Sequence, residues 1–186
     1  MAAKKSLRLS RTQAGLLVID VQEKLVPAIF ERQRLVENVI RLIRGAAILD
    51  VPVFATEQYR KGLGPTVPEV ATALGEDLPI EKVAFSACGA AGLTDALRAK
   101  RVSDVIICGT EAHVCVCQTC LDLLGENYRV FVVADAVSSR TPENCRIGCE
   151  RMRDSGAIIV STEMVLFELL GKAASEEFKK ILELVK

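Results

Sequence analysis

Five short runs of almost unbroken apolar residues punctuate the chain: Gly15-Leu16-Leu17-Val18-Ile19, Val51-Pro52-Val53-Phe54-Ala55-Thr56, Val105-Ile106-Ile107-Cys108, Val130-Phe131-Val132-Val133-Ala134 and Gly156-Ala157-Ile158-Ile159-Val160. A strand with one wet face alternates apolar and polar side chains. Continuous hydrophobicity over strand length therefore needs cover on both faces, as in a parallel sheet flanked by helices. The intervening segments can supply that cover. Leu35, Val36, Val39, Ile40, Leu42, Ile43 and Ala46 recur at three- and four-residue steps opposite Glu37, Asn38, Arg41 and Arg44, which predicts an amphipathic helix. Residues 93–100, 115–124 and 143–155 repeat the pattern, and Ser175 before Glu176, Glu177, Phe178, Ile181 and Leu182 predicts a capped final helix. Alternating strands and helices imply right-handed crossovers and a three-layer α/β/α fold.

A chain of 186 residues can bury roughly 70% of the surface that its unfolded form exposes. One domain spanning 1–186 is expected, with a short solvated tail at 1–12. Lys4, Lys5, Arg8 and Arg11 could mark a transit peptide, but no secretory apolar core accompanies them. The 24 basic residues balance 24 acidic ones, leaving no basic face for phosphates. With two Tyr, six Phe and no Trp, little aromatic surface is left for stacking bases. Nucleic-acid binding is disfavoured. No apolar run reaches the ~18 residues of a membrane span. Seven unevenly spaced Cys without a signal peptide predict reduced thiols and a cytoplasmic protein.

Three reactive side chains fall where the ligand crevice of such a sheet lies, beyond or near strand ends. Asp20 follows the first run, Lys82 interrupts the extended segment 80–85, and Cys115 sits just after the turn that follows the third run. At a helix N-terminus a thiol feels unpaired amides and the positive end of the helix dipole, which favour thiolate. Cys115 is accordingly expected to react first with alkylating agents. The irregular stretch Glu57 to Pro68, EQYRKGLGPTVP, is expected to border the crevice, with Glu57, Tyr59 and Gly62 facing substrate. His113, the only histidine, reads as a cap or a polar group facing substrate.

LLVIDVQ, EKVAFSA and GTEAHVCVCQT, in this order, resemble the isochorismatase-like cysteine hydrolases. TEQYRKGLGPTVPE, ADAVSSRTPEN and ERMRDSGAIIVSTEMVLFELLG are similar to the branch of isochorismatase domain-containing proteins. The resemblance implies a six-stranded parallel sheet and an Asp-Lys-Cys triad at Asp20, Lys82 and Cys115. It also implies a cis peptide bond between Thr110 and Glu111, an oxyanion hole from the amides of Glu111 and Cys115, and a homo-oligomer. Met164 to Leu170 and the final helix look too apolar for one small core. The reaction implied is hydrolysis of a small amide or related carbon–nitrogen bond through a thioester, without a cofactor. Nicotinamidases of this superfamily hold a metal with an Asp and two His, where this chain has Thr56-Glu57-Gln58-Tyr59. Siderophore-type isochorismatases lack the nucleophilic Cys, so its presence here opposes vinyl ether cleavage.

Other readings compete. Cys117 and Cys120 could form a redox motif, although Cys117 lies inside the helix rather than at its start. Cys115, Cys117, Cys120 and His113 on one helix cannot all face one tetrahedral zinc. Gly62-Leu63-Gly64 lacks the third glycine of a dinucleotide fingerprint. Cys145 and Cys149 read as small buried hydrophobes. A non-catalytic oligomeric binding protein is the remaining alternative.

Overall fold

The structure, a computed structural model, describes residues 7–186. Its one sheet is built from β1 (Ala14–Ile19), β2 (Val53–Gln58), β3 (Ile80–Lys82), β4 (Asp104–Thr110), β5 (Arg129–Ser138) and β6 (Ile158–Val160). All pairings are parallel, in the order β3-β2-β1-β4-β5-β6. Helices α1 (Arg32–Ile48), α3 (Pro68–Leu74), α7 (Thr162–Leu170) and α8 (Glu176–Val185) cover one face. The other face carries α4 (Leu93–Ala99), α5 (Cys115–Gly125) and α6 (Pro142–Asp154). A short α2 (Arg60–Leu63) follows β2.

The unbroken apolar runs are explained by two cores. Leu16, Val18, Ile106, Phe131 and Val133 pack against α1, whereas Leu17, Ile19, Val105, Ile107, Val130 and Val132 pack against α5. Successive residues of one strand thus feed opposite cores, as strand geometry requires. α1 contributes buried Leu35, Val39, Leu42, Ile43 and Ala46, the larger ones worth about 1.5–3 kcal/mol each when removed from water. Ser175 caps α8 by accepting from the Phe178 amide at 3.1 Å, and Thr141 caps α6 by accepting from Asn144 at 3.2 Å.

Strand order reverses direction between β1 and β4, the switch point where open α/β sheets bind ligands. Gly109 makes that junction close. Its φ is 115° and a Cβ there would stand 2.0 Å from the Ile19 carbonyl oxygen, so only glycine fits. The strand shifts register at Gly109 and continues to Thr110.

One expectation is corrected. Residues 1–6 of the expected tail lie outside the described residues, but the segment from Leu9 is not free. The Leu9 amide donates to Glu168 at 2.9 Å, and Arg11 Nη1 pairs with Glu177 at 3.0 Å. In α7, Val165, Leu166, Leu169 and Leu170 are buried in the chain's own core together with Ile181 of α8, while Met164 stands half exposed.

Candidate active site

β1 delivers Asp20 into a left-handed turn with φ 50°. The Asp20 carbonyl accepts from Thr110 Oγ1 at 2.6 Å, stitching the ends of β1 and β4. Its carboxylate is held on both oxygens: Thr56 Oγ1 donates to Oδ1 at 2.7 Å and Lys82 Nζ to Oδ2 at 2.7 Å. Lys82 Nζ also donates to Gln58 Oε1 at 2.7 Å, the Phe85 carbonyl at 3.0 Å and the Ala84 carbonyl at 3.3 Å. Both charged side chains are fully buried. Burying an ion pair costs several kcal/mol per ion and is tolerable only with such complete hydrogen bonding. No buried side-chain nitrogen or oxygen lacks a partner among the described residues.

Cys115 is the first residue of α5, and its thiol interacts with both Asp20 and Lys82. Burial, followed by the Asp20 charge, pushes the thiol up to about 12, while Lys82 pulls the other way. The resting group is therefore a thiol, not the thiolate that its place at a helix N-terminus suggested; desolvation outweighs the nearby lysine. The first turn of α5 is anchored by Thr119, whose Oγ1 donates to the Cys115 carbonyl at 2.6 Å and accepts from the Ala87 amide at 2.8 Å. The peptide bond between Thr110 and Glu111 is cis. The amides of Glu111 and Cys115 make no backbone hydrogen bond outside the helices and strands among the described residues.

A model of the Isochorismatase domain matches residues 14–164. The chain belongs to the isochorismatase family. Isochorismatase domain-containing protein 2 of Danio rerio is 41% identical over 184 residues, covering 96% of this chain and 89% of that protein. The MAR1 ribonuclease of Caenorhabditis elegans superposes with a TM-score of 0.90 at 40% identity, covering 96% of this chain and 92% of the other. YcaC from Pseudomonas aeruginosa, solved with hexane-2,5-diol and covalent acrylamide, has a TM-score of 0.89 at 27% identity, covering 98% and 93%. Membership in this family carries a hydrolase-type function.

Within this isochorismatase fold, the remaining expected site residues divide. Glu57 turns away from the Asp20 cluster, a correction that follows from strand parity. Thr56 and Gln58 face the cluster, so Glu57 between them faces the other side. There its Oε1 accepts from the Thr66 amide at 2.6 Å and Thr66 Oγ1 at 2.7 Å, and its Oε2 from Arg60 at 2.9 Å. Glu57 is thus a clamp for the loop. Tyr59 is half exposed, lies over Gly62 and, with Lys82, Val83 and Gly89, lines a groove of about 410 Å³ outside β3. Gly62 gives the Tyr59 ring its room, since a Cβ would lie 2.3 Å from it. The loop folds back on the segment after Asp20, with Glu23 and Lys24 amides donating to Pro65 and Leu63. His113 Nδ1 lies 3.0 Å from Ser139 Oγ, and the Glu111 carboxylate accepts from Arg140 Nε at 2.9 Å.

Thr56, Gln58 and Gln22 were missed in the sequence. Gln22 is fully buried and holds the Gln58 backbone in both directions, accepting from its amide at 2.7 Å and donating to its carbonyl at 3.0 Å. Their signal was the spacing of two polar residues in Thr56-x-Gln58 at the end of an apolar strand. Cys117 and Cys120 are buried, and burial raises both thiols, Cys120 to about 12. Cys145 and Cys149 are half-buried and pack against the core on the α5 side.

Proposed function

We propose that the chain hydrolyses a small amide or related carbon–nitrogen bond, with Cys115 as nucleophile, Asp20 as acid and base, and Lys82 as charge organiser. The observation that carries this reading is the fully buried Asp20–Lys82 pair in contact with a thiol at the switch point of the sheet. An ion pair so costly to bury adds little stability over apolar packing, and such pairs concentrate at functional sites. A thiol raised to about 12 needs a base at the moment of attack, and Asp20 is the carboxylate beside it. Asp20 takes the proton as sulfur bonds to the carbonyl carbon. The amides of Glu111 and Cys115 hold the oxyanion. As the carbon–nitrogen bond breaks, Asp20 returns the proton to the leaving amine, and water activated by Asp20 then cleaves the thioester.

Thr56 and Lys82 orient the Asp20 carboxylate, while Gln58 and the Ala84 and Phe85 carbonyls fix the ammonium. The covalent acrylamide on the Pseudomonas aeruginosa relative supports a reactive group on this scaffold, and Tyr59 and His113 are proposed to face a small-molecule substrate. A screen of small amides, with Cys115→Ser and Asp20→Asn as controls, tests the reading. Turnover that depends on both residues supports it, and turnover surviving Cys115→Ser sinks it.

The name of the Caenorhabditis elegans relative favours a second reading, RNA cleavage. The balanced charge and a reacting cluster closed to solvent oppose it. Cleavage of RNA that persists in Asp20→Asn would favour it. We further propose a cytoplasmic homo-oligomer. No helix among the described residues is long and apolar enough to cross a membrane, and Val83 and Phe85 beside edge strand β3 expose apolar surface. Sedimentation as a monomer at micromolar concentration would remove the oligomer.

A further inference from the structure

Four of the seven cysteines occupy α5 and α6, outside the proposed hydrolytic machinery: Cys117 and Cys120 on α5, Cys145 and Cys149 on α6. The α5 pair is buried, whereas the α6 pair is half-buried. Cys145 and Cys149 stand one turn apart on one helix, where their thiols act on each other. Cys145 Sγ also lies 3.8 Å from the Val137 carbonyl oxygen. Arg34 acts on Cys145 and Arg153 on Cys149, with Glu31 the opposing charge. The Cys149 thiol, as the donor, brings Cys145 down to about 7, and Cys149 is raised in return.

The spacing selects the chemistry. Positions four apart on a helix hold their Cβ atoms about 5–6 Å apart, beyond the ~3.5–4.5 Å that a disulfide requires. A single atom set between the two sulfurs spans the wider gap. We propose that Cys145 and Cys149 form a dithiol site for a soft, thiophilic centre that binds both sulfurs, of the class of univalent copper and trivalent arsenicals. Soft sulfur ligands select such centres over hard cations. Two thiolates around one positive charge leave net negative charge, which Arg34 and Arg153 offset. With an organoarsenic(III) oxide the step is a condensation: two arsenic–sulfur bonds form, the arsenic–oxygen double bond is lost, and both thiol protons leave with the oxygen as water. With univalent copper both protons pass to solvent. Neither step changes an oxidation state.

The sequence offers a direct test. Trypsin cuts after Arg140, Arg146 and Arg151, placing Cys145 and Cys149 in separate peptides, 141–146 and 147–151, whereas Cys108, Cys115, Cys117 and Cys120 stay together in 102–129. The full reduced chain is treated with one equivalent of phenylarsine oxide, digested without added thiol and read by mass spectrometry. The expected product is 141–146 joined to 147–151 through one phenylarsenic group. One equivalent of univalent copper added beforehand under nitrogen should lower its yield at least tenfold. An adduct confined to 102–129, or a bridge that copper leaves untouched, would overturn the assignment.

Discussion

Two buried aspartates stand at opposite ends of neighbouring strands, Asp104 opening β4 and Asp20 following β1, and both are paired with a cation. Their surroundings differ. Asp104 receives both Nε and Nη2 of Arg129, and accepts from the Ser10 amide at 3.2 Å. Arg129 lies 5.3 Å from the centre of the Phe131 ring and retains some contact with solvent. That guanidinium keeps part of its hydration, and its fork ties the segment before β1 to the sheet. The Asp20–Lys82 pair is sealed from water and touches a thiol. The amino-end pair is intelligible as a fastening. The carboxyl-end pair costs more to bury than a fastening warrants, and reactivity accounts for it.

Asp20→Ala separates the two ends most strongly. It should lower amide turnover by about a thousandfold or more, because it removes the proton carrier. It should also cost about 3–5 kcal/mol of stability by leaving Lys82 charged and unpaired in the interior. Asp104→Ala should leave turnover within about twofold and cost about 1–3 kcal/mol. Urea unfolding and turnover of both variants check this, and an equal loss of turnover in the two would erase the distinction.

Gly109→Ala probes the junction beneath the site. The added methyl would meet the Ile19 carbonyl oxygen at 2.0 Å, and a loss of about 4 kcal/mol or more is expected. Gly92→Ala, where φ is 87° and nothing lies within 4 Å, should cost only about 1–2 kcal/mol. Thermal denaturation distinguishes them.

Alkylation sharpens the account of the thiols. With Cys115 near 12 and Cys145 near 7, iodoacetamide at pH 7 should label Cys145 first. Cys115 labelling should climb about tenfold per pH unit through the alkaline range as thiolate forms, while Cys145 labelling levels off above its own value. Peptide mapping from pH 6 to 10 reads both curves, and a Cys115 plateau near neutrality would show that Lys82 outweighs burial after all. The smallest effect belongs to Thr56→Val, which deletes one donor to Asp20. About a tenfold loss of turnover with near-native stability is expected, worth roughly one hydrogen bond.

The sheet, the principal helices and the Asp20, Lys82 and Cys115 cluster were legible because each rests on a local pattern: apolar runs, helical spacing, a reactive side chain near a strand end. What escaped depends on long-range arrangement. Glu57 was misassigned because β2 runs on to Gln58, which turns Thr56 and Gln58 toward Asp20 and Glu57 away. The Cys115 thiol was misjudged because helix position is visible in sequence while desolvation is not. Cys145 and Cys149 read as small buried hydrophobes because their spacing fits a buried stripe, and α6 packs them only partly against the core.

The acyl-enzyme is the most direct test of the central claim. The wild-type chain is mixed with a turned-over amide from the screen, quenched in acid within milliseconds to seconds, digested and read by mass spectrometry. The account predicts an acyl mass on the peptide 102–129, fragmenting to Cys115, absent from Cys115→Ser and strongly reduced in Asp20→Asn. An acyl group found on another cysteine, or undiminished hydrolysis by Cys115→Ser, would contradict it.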